Sequence, residues 1–293
     1  MLLTLLNIII PVFAVAGAGY WFARRLPQGG DMGFINGANV QLFCPALIFS
    51  AMVMHPLNLD SSWQLVLAGI AIVLLPGLLL WPLARRSGMQ GAAFLMTAMF
   101  RNTGNMGIPL MMLAYGRELL GDIIVLFVLA NSLQFSVGLW LISRSRGSLA
   151  WLKSPNIWAA VLGLLLAPQR EHIPGFILTT AEMLAQVSIP LMLFSLGVRM
   201  AQSKISGVAL ALRINLMYLA AGLASAALII WALGLQGDWA RMLWLYAALP
   251  PAVLNYLLSE QYRADSHTVA NVVLLGNLLS VVVMPVVVFL TLL

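Results

Sequence analysis

Ten mostly apolar stretches follow one another along the chain, separated by short clusters of charged and turn-forming residues. They run over 3–22, 34–54, 64–83, 90–115, 122–143, 155–168, 175–198, 208–234, 240–260 and 267–292. A helix needs about 20 apolar residues to cross the hydrocarbon of a bilayer. The pattern therefore predicts an all-α polytopic membrane protein with ten transmembrane helices. Their ends are set to within about two to four residues. The sixth stretch is short, and the fourth and ninth are interrupted by polar residues and prolines.

Composition supports this class and removes others. Of the 293 residues, 62% are hydrophobic and 8% charged, against about 45–50% and 25% in soluble domains. So few charges cannot solvate a soluble globule of this size, and disordered chains are less apolar still. The 24 Gly and 14 Pro show no repeat that would mark a fibrous class. The one cysteine, Cys44, sits in an apolar run, where a free thiol is a small hydrophobe. It excludes an internal disulfide framework and any Cys-based metal cluster.

The net charge of +6 reads as topology rather than as affinity for nucleic acid. Odd-numbered loops carry eleven basic residues: Arg24, Arg25, Arg85, Arg86, Arg144, Arg146, Lys153, Arg199, Lys204, Arg213 and Arg263. Even-numbered loops carry three, Arg117, Arg170 and Arg241. Basic residues mark cytoplasmic loops, which places both termini outside a cytoplasmic (inner) membrane. Residues 1–23 carry no charge ahead of Arg24, unlike a cleavable signal peptide. Trp21, Trp81, Trp151 and Trp239 fall near predicted span ends, as an interfacial aromatic belt requires.

The chain also repeats itself. Pro45-Ala46-Leu47-Ile48-Phe49-Ser50 and Pro190-Leu191-Met192-Leu193-Phe194-Ser195 share P-x-x-x-F-S at an offset of 145. Asn131 and Asn277 correspond at an offset of 146, and the interrupted fourth and ninth spans correspond as well. This predicts two five-helix repeats, 1–153 and 154–293. An odd number of spans per copy inverts the second copy, an arrangement common in secondary transporters.

Both interruptions carry groups that suit a binding site. Span four reads Phe100-Arg101-Asn102-Thr103-Gly104-Asn105-Met106-Gly107-Ile108-Pro109. Pro109 lacks a donor and the glycines relax the backbone, so the helix is expected to open there. Open backbone at membrane depth must line a cavity or be covered by protein. Asn102 and Asn105 share a face if the turn is helical. The following half-helix then offers free N–H groups and a positive dipole end to an anion. Span nine reads Leu249-Pro250-Pro251-Ala252-Val253-Leu254-Asn255, a second break with an Asn behind it. The alternative for each is a proline kink that only bends a helix.

At these residues the sequence resembles the auxin efflux carrier family, including its bacterial organic-acid permeases. The motifs are Asn102–Pro109, Leu249–Val253 with Glu260–Asp265, and Leu278–Pro285, and the likeness covers essentially the whole chain. The resemblance implies a scaffold half and a transport half, with helices four and nine crossing at their prolines. Those would be Pro109 and either Pro250 or Pro251. It implies substrate bound beside the crossing and elevator-type alternating access. Bacterial members are associated with malate, malonate and similar carboxylates. Only residues 144–154 stand where plant members carry a long loop, so auxin itself does not follow. The bile acid:sodium symporter fold resembles the same inverted repeat.

Two ionisable residues lie well inside the spans, where a charge costs about 2.5–3.5 kcal/mol even on a lenient scale. Arg101 either attracts a substrate carboxylate or snorkels and neutralises a helix C-terminus. Burial makes a carboxylic acid hold its proton nearer neutral pH, which makes Glu182 a candidate for proton coupling. A wet vestibule would leave it an ordinary carboxylate. Asn131, Ser132, Gln134, Asn277 and Ser280 are weaker candidates that equally serve helix–helix hydrogen bonds; Ser50 and Ser195 belong with them.

No nucleophile–His, acid-pair, H-E-x-x-H, G-x-S-x-G or P-loop constellation appears, so an intramembrane enzyme is not expected. The reading is a secondary transporter for a small organic anion, a mono- or dicarboxylate. Asn102, Asn105 and Asn255 bind substrate, and Pro109, Pro250 and Pro251 hold the crossing open. No cofactor and no metal are expected. Membrane lipid is the other partner, and a homodimer is left open. A sodium-coupled symporter and a channel on the same scaffold are the alternatives.

Overall fold

Long apolar runs satisfy their backbone groups internally by coiling, and every regular element in the computed structural model is helical. The structure describes residues 2–25, 32–55, 59–143, 154–202 and 206–293. Arg144, Arg146, Trp151, Lys153 and Lys204, which entered the loop-charge and aromatic-belt readings, lie outside the described residues. The helices are α1 (Leu2–Arg25), α2 (Gly33–Met54), α3 (Leu59–Leu80), α4 (Gly91–Met99), α5 (Ile108–Tyr115) and α6 (Arg117–Ser143). They continue with α7 (Pro155–Leu166), α8 (Gly175–Gln202), α9 (Val208–Leu233), α10 (Gly237–Ala248), α11 (Val253–Gln261) and α12 (Ser266–Leu292).

Among the described residues, seven helices are long and apolar enough to cross a membrane. They coincide with the first, second, third, fifth, seventh, eighth and tenth expected spans. The fourth and ninth expected spans are made of two shorter helices each, and the sixth is the twelve-residue α7. None of these reaches the length of about 20 residues that a single continuous span requires.

The described chain divides into two compact units. The first is Met1–Trp63, Gly104–Val128 and Ala150–Gln202; the second is Gln64–Thr103, Leu129–Leu149 and Ser203–Leu293. Each draws on segments from both halves of the chain.

In the first unit, α1 packs along α8, and α7 and α8 pack on α2. Small residues set the closeness of α1 and α8. A Cβ at Gly197 would overlap the carbonyl of Ala16, and one at Gly19 would overlap the carbonyl of Phe194. Helices in lipid associate through such close backbone approach, because burial of apolar surface from water is not available to them. The Phe22 and Phe194 rings close the seam at 5.7 Å. At the C-terminal end of α1, Arg25 lies 4.1 Å over the Trp21 ring, a basic and aromatic pairing suited to a membrane interface. Cys44 is buried in α2.

In the second unit, α9, α10 and α12 pack against one another, and α11 packs on α12. Phe94 and Tyr218 meet at 5.2 Å in its core. This unit holds Phe100–Asn102 and Leu249–Ala252, the non-helical stretches inside the fourth and ninth expected spans.

Candidate functional site

The site begins with backbone groups that have lost their helical partners. α4 ends at Met99, and Phe100 is extended (φ −100°, ψ 108°). α10 ends at Ala248, and Leu249 and Ala252 are likewise non-helical, with ψ of 145° and 140°. Each unpaired amide or carbonyl at membrane depth is costly. The two segments solve this by pairing with each other. Arg101 and Pro251 form an antiparallel bridge. The Asn102 N–H donates to the Pro250 carbonyl at 2.8 Å, and the Ala252 N–H to the Phe100 carbonyl at 3.0 Å. Pro250 and Pro251 bring no N–H groups that would need acceptors.

Side-chain amides complete the accounting. Asn255, fully buried at 0% exposure, donates from Nδ2 to the Phe100 carbonyl at 2.8 Å. Its Oδ1 accepts from Gln134 Nε2 at 2.8 Å. Asn102 Nδ2 donates to Asn277 Oδ1 at 2.8 Å. Asn277 Nδ2 donates to the Pro251 carbonyl at 3.2 Å and to the Val273 carbonyl at 2.8 Å. Each interruption is thus tied to an amide from a neighbouring helix, Gln134 from α6 and Asn277 from α12. Gln134 opens a π-helical turn, Gln134–Gly138, a local widening frequent at functional sites.

Arg101 is the one formal charge in this cluster. It is 4% exposed. Nη2 donates to the Tyr218 carbonyl at 2.6 Å and Nη1 to the Leu249 carbonyl at 3.4 Å. The guanidinium also lies 5.9 Å from the Tyr218 ring centroid, and the Tyr218 hydroxyl donates to the Phe94 carbonyl at 2.8 Å. Beside it is a cavity of about 110 Å³, lined by Arg101, Asn215, Pro250, Pro251 and Ser280 among apolar side chains of α9 and α12.

The structure therefore brings Arg101, Asn102, Gln134, Pro250, Pro251, Asn255 and Asn277 together. The remaining candidates are placed elsewhere. Asn105 and Pro109 belong to the first unit. Asn102 and Asn105 do not share a helical face, because Asn102 lies outside the helix with its N–H paired to the Pro250 carbonyl, while Asn105 lies in the π-helical turn Thr103–Gly107. Pro109 does not open the helix. It follows the π-helical turn Thr103–Gly107 directly, with Gly107 already in helical conformation, and the residue opposite Pro251 is Arg101. Asn131 is half-buried one turn before Gln134, and it is Gln134 that reaches Asn255. Glu182 is exposed on α8, beside Met183 at 66% exposure.

Sequence reasoning missed the residues that make room. A Cβ at Gly222 would come within 2.9 Å of Arg101 Nη2 and overlap the Ala247 carbonyl. One at Gly276 would come within 2.8 Å of Pro251 Cδ and overlap Asn215 Oδ1. Asn215 and Gly222, two helical turns apart, lie on one face of α9, and that spacing was the available signal.

Comparison with known proteins gives the family. The model of a membrane transport protein family matches residues 4–151 and 148–288. A protein of Rhizobium meliloti called a putative malonate transporter is 26% identical over 94% of this chain and 92% of its own length. A rice protein called probable auxin efflux carrier component 5b is 31% identical over 50% of this chain and 41% of its own. Auxin efflux carrier component 5 of Arabidopsis thaliana is 29% identical over 47% and 42%. The matches thus span about two fifths of the length of these plant relatives. A multi-pass helical membrane chain matched over nearly its whole length by this family model is a transporter and not an enzyme: it belongs to the membrane transport protein family of the auxin efflux carriers.

Proposed function

We propose that this chain is a secondary active carrier for a small organic anion of the mono- or dicarboxylate class. The observation that carries the reading is the pair of interruptions held together at Arg101 and Pro251. Carriers commonly bind substrate where discontinuous helices meet, with half-helix N-termini aimed at anionic groups. Here α11 restarts at Val253 directly after the bridge. The first-turn N–H groups of Val253 and Leu254 have no intrahelical acceptor, and both residues are half-buried rather than enclosed. Asn102, Asn255, Gln134 and Asn277 frame that end. Asn105, half-buried three residues beyond Asn102, is a further ligand in this reading. The name of the Rhizobium meliloti relative supports a short dicarboxylate as substrate.

The reading includes ten membrane passages as two inverted five-helix repeats, 1–153 and 154–293. Three passages are made by α4 with α5, by α7, and by α10 with α11. It includes the inner membrane, both termini outside, and alternating access of elevator type. Support comes from the repeated P-x-x-x-F-S segments, the loop-charge bias and the two compact units.

The test is a thermal-shift screen of purified protein against malonate, other small carboxylates and uncharged or cationic analogues, with Asn105→Ala beside it. A ligand at 100 times its dissociation constant adds about 2.7 kcal/mol of stability. The expected result is a carboxylate that raises Tm of the wild type and not of the variant. Stabilisation by neutral or cationic compounds alone would remove the anion assignment.

A further inference from the structure

Interrupted membrane helices free carbonyl oxygens, and carriers built this way use such carbonyls and half-helix C-termini to hold a sodium ion or a proton. In this chain the corresponding oxygens are filled from within. The Phe100 carbonyl accepts from the Ala252 N–H and from Asn255 Nδ2. The Pro250 carbonyl accepts from the Asn102 N–H, and the Pro251 carbonyl from Asn277 Nδ2. The Leu249 carbonyl, just past the end of α10, accepts from Arg101.

Arg101 also takes the carbonyl of Tyr218 in the middle of α9. A mid-helix carbonyl reaches a second donor only where neighbouring side chains leave it open. Gly222, one turn on, provides that opening, since a Cβ there would crowd Nη2 at 2.9 Å. Among the described residues no carboxylate pairs with Arg101; the ion pair the structure shows is Arg241 with Asp238, both exposed. The positive charge is balanced by carbonyl dipoles, by the Tyr218 ring and by the negative ends of α4 and α10, which stop beside it. An arginine held by two backbone carbonyls, with no acid partner among the described residues, is placed as a cation at freed carbonyls rather than as half a salt bridge.

We infer that Arg101 is a tethered cation: its guanidinium occupies the carbonyl-lined position at the interruption that a dissociable cation takes in sodium-coupled carriers built on interrupted helices. The inference rests on the carrier reading above and deepens it. The position is compensated by a charge that cannot leave, so no sodium ion is bound or required there. Arg101 is in this sense a positioning residue that holds the two interruptions in register.

The experiment compares the wild type, Arg101→Lys and Arg101→Ala, each as the purified full chain. Melting temperature is read in sodium, lithium or choline chloride at equal ionic strength, and in choline with a few millimolar methylguanidinium. The wild type and Arg101→Lys are expected to melt at the same temperature in sodium as in choline. Arg101→Ala is expected to melt about 10 °C lower in choline. It should regain at least half of that loss, saturably, with methylguanidinium or with sodium. A saturable sodium shift in the wild type overturns the inference, and so does a folded Arg101→Ala protein that no small cation restores. If Arg101→Ala yields no folded protein, carboxylate uptake by wild-type proteoliposomes decides. Equal uptake with sodium and with choline upholds the inference, and sodium-dependent uptake overturns it. The malonate shift is read on the same wild-type samples, so failure of the anion reading is seen separately from failure of the cation arms.

Discussion

In the first unit, α1 and α8 run for 24 and 28 residues without a gap, and apart from the turns before Pro11 and Pro190 each bonds its backbone within itself. In the second, α4 and α10 stop after nine and twelve residues, and neighbouring chain must satisfy what they leave open. Both units use glycine where space is short, for different ends. Gly19 and Gly197 let two helices touch, whereas Gly222 and Gly276 admit a guanidinium and a proline ring. The difference teaches how to read polar residues in a membrane chain. In the first unit a buried contact such as Ser188 Oγ to Asn39 Oδ1, at 3.0 Å, links two helices. In the second, the amides of Asn102, Asn255 and Asn277 are committed to the backbone or to one another before any ligand arrives. Their polarity alone does not make them ligands; the proposed function rests on their position around the restart of α11.

That contrast breaks most sharply at Asn255. Replacing it by Leu keeps the branched four-atom shape but leaves Gln134 Nε2 without its acceptor and removes one of two bonds to the Phe100 carbonyl. The expected cost is about 3 kcal/mol, seen as a fall in Tm, together with loss of any carboxylate-induced shift. Gly197→Ala should cost about 2 kcal/mol by forcing α1 from α8, and the carboxylate-induced shift should survive. A result in which both variants lose ligand response would erase the distinction between the units. A double-mutant cycle on Asn102→Ala and Asn277→Ala should return a coupling of about 1 kcal/mol. The same cycle on Gly197→Ala and Asn277→Ala should be additive within about 0.5 kcal/mol.

The smallest effect concerns pH. His55 caps the C-terminal end of α2, and burial lowers its pKa below 6.5, with Glu118 acting in the opposite sense. The folded state therefore favours neutral imidazole. Its contribution is present above pH 6.5 and declines as pH falls from 6.5 through the lowered folded value, because the unfolded chain binds the proton first. His55→Gln should flatten the Tm–pH curve in that window and leave the alkaline side unchanged.

Much of this was legible in the chain. Helical class and the seven long helices follow from apolar length alone, and the interruptions announce themselves as Arg101-Asn102 and Pro250-Pro251. What periodicity could not supply was register. Pro109 carries the strongest breaking chemistry in its stretch, yet the chain leaves the helix earlier, because Phe100–Asn102 has a second non-helical segment to pair with, and a π-helical turn then carries the chain on into Pro109. Offset arithmetic singled out Asn131 as the mate of Asn277, whereas one more helical turn brings Gln134 to Asn255. Arg101 stood between two meanings until its acceptors were seen to be carbonyls. Gly222 and Gly276 gave almost no signal, since small residues are common throughout membrane helices and their meaning depends on what presses against them.

The division of the chain between the units has a consequence for biosynthesis. A ribosome delivers residues 1–63 long before residues 150–202, and both stretches belong to one unit. Phe100 to Thr103 emerge about 150 residues ahead of Leu249 to Ala252, their backbone partners. Throughout that interval the first interruption sits in the translocation machinery or the bilayer with its Phe100 carbonyl and Asn102 amide unmet by the partners they will have. A cut just ahead of residue 150 would release two fragments, neither of which holds a complete unit.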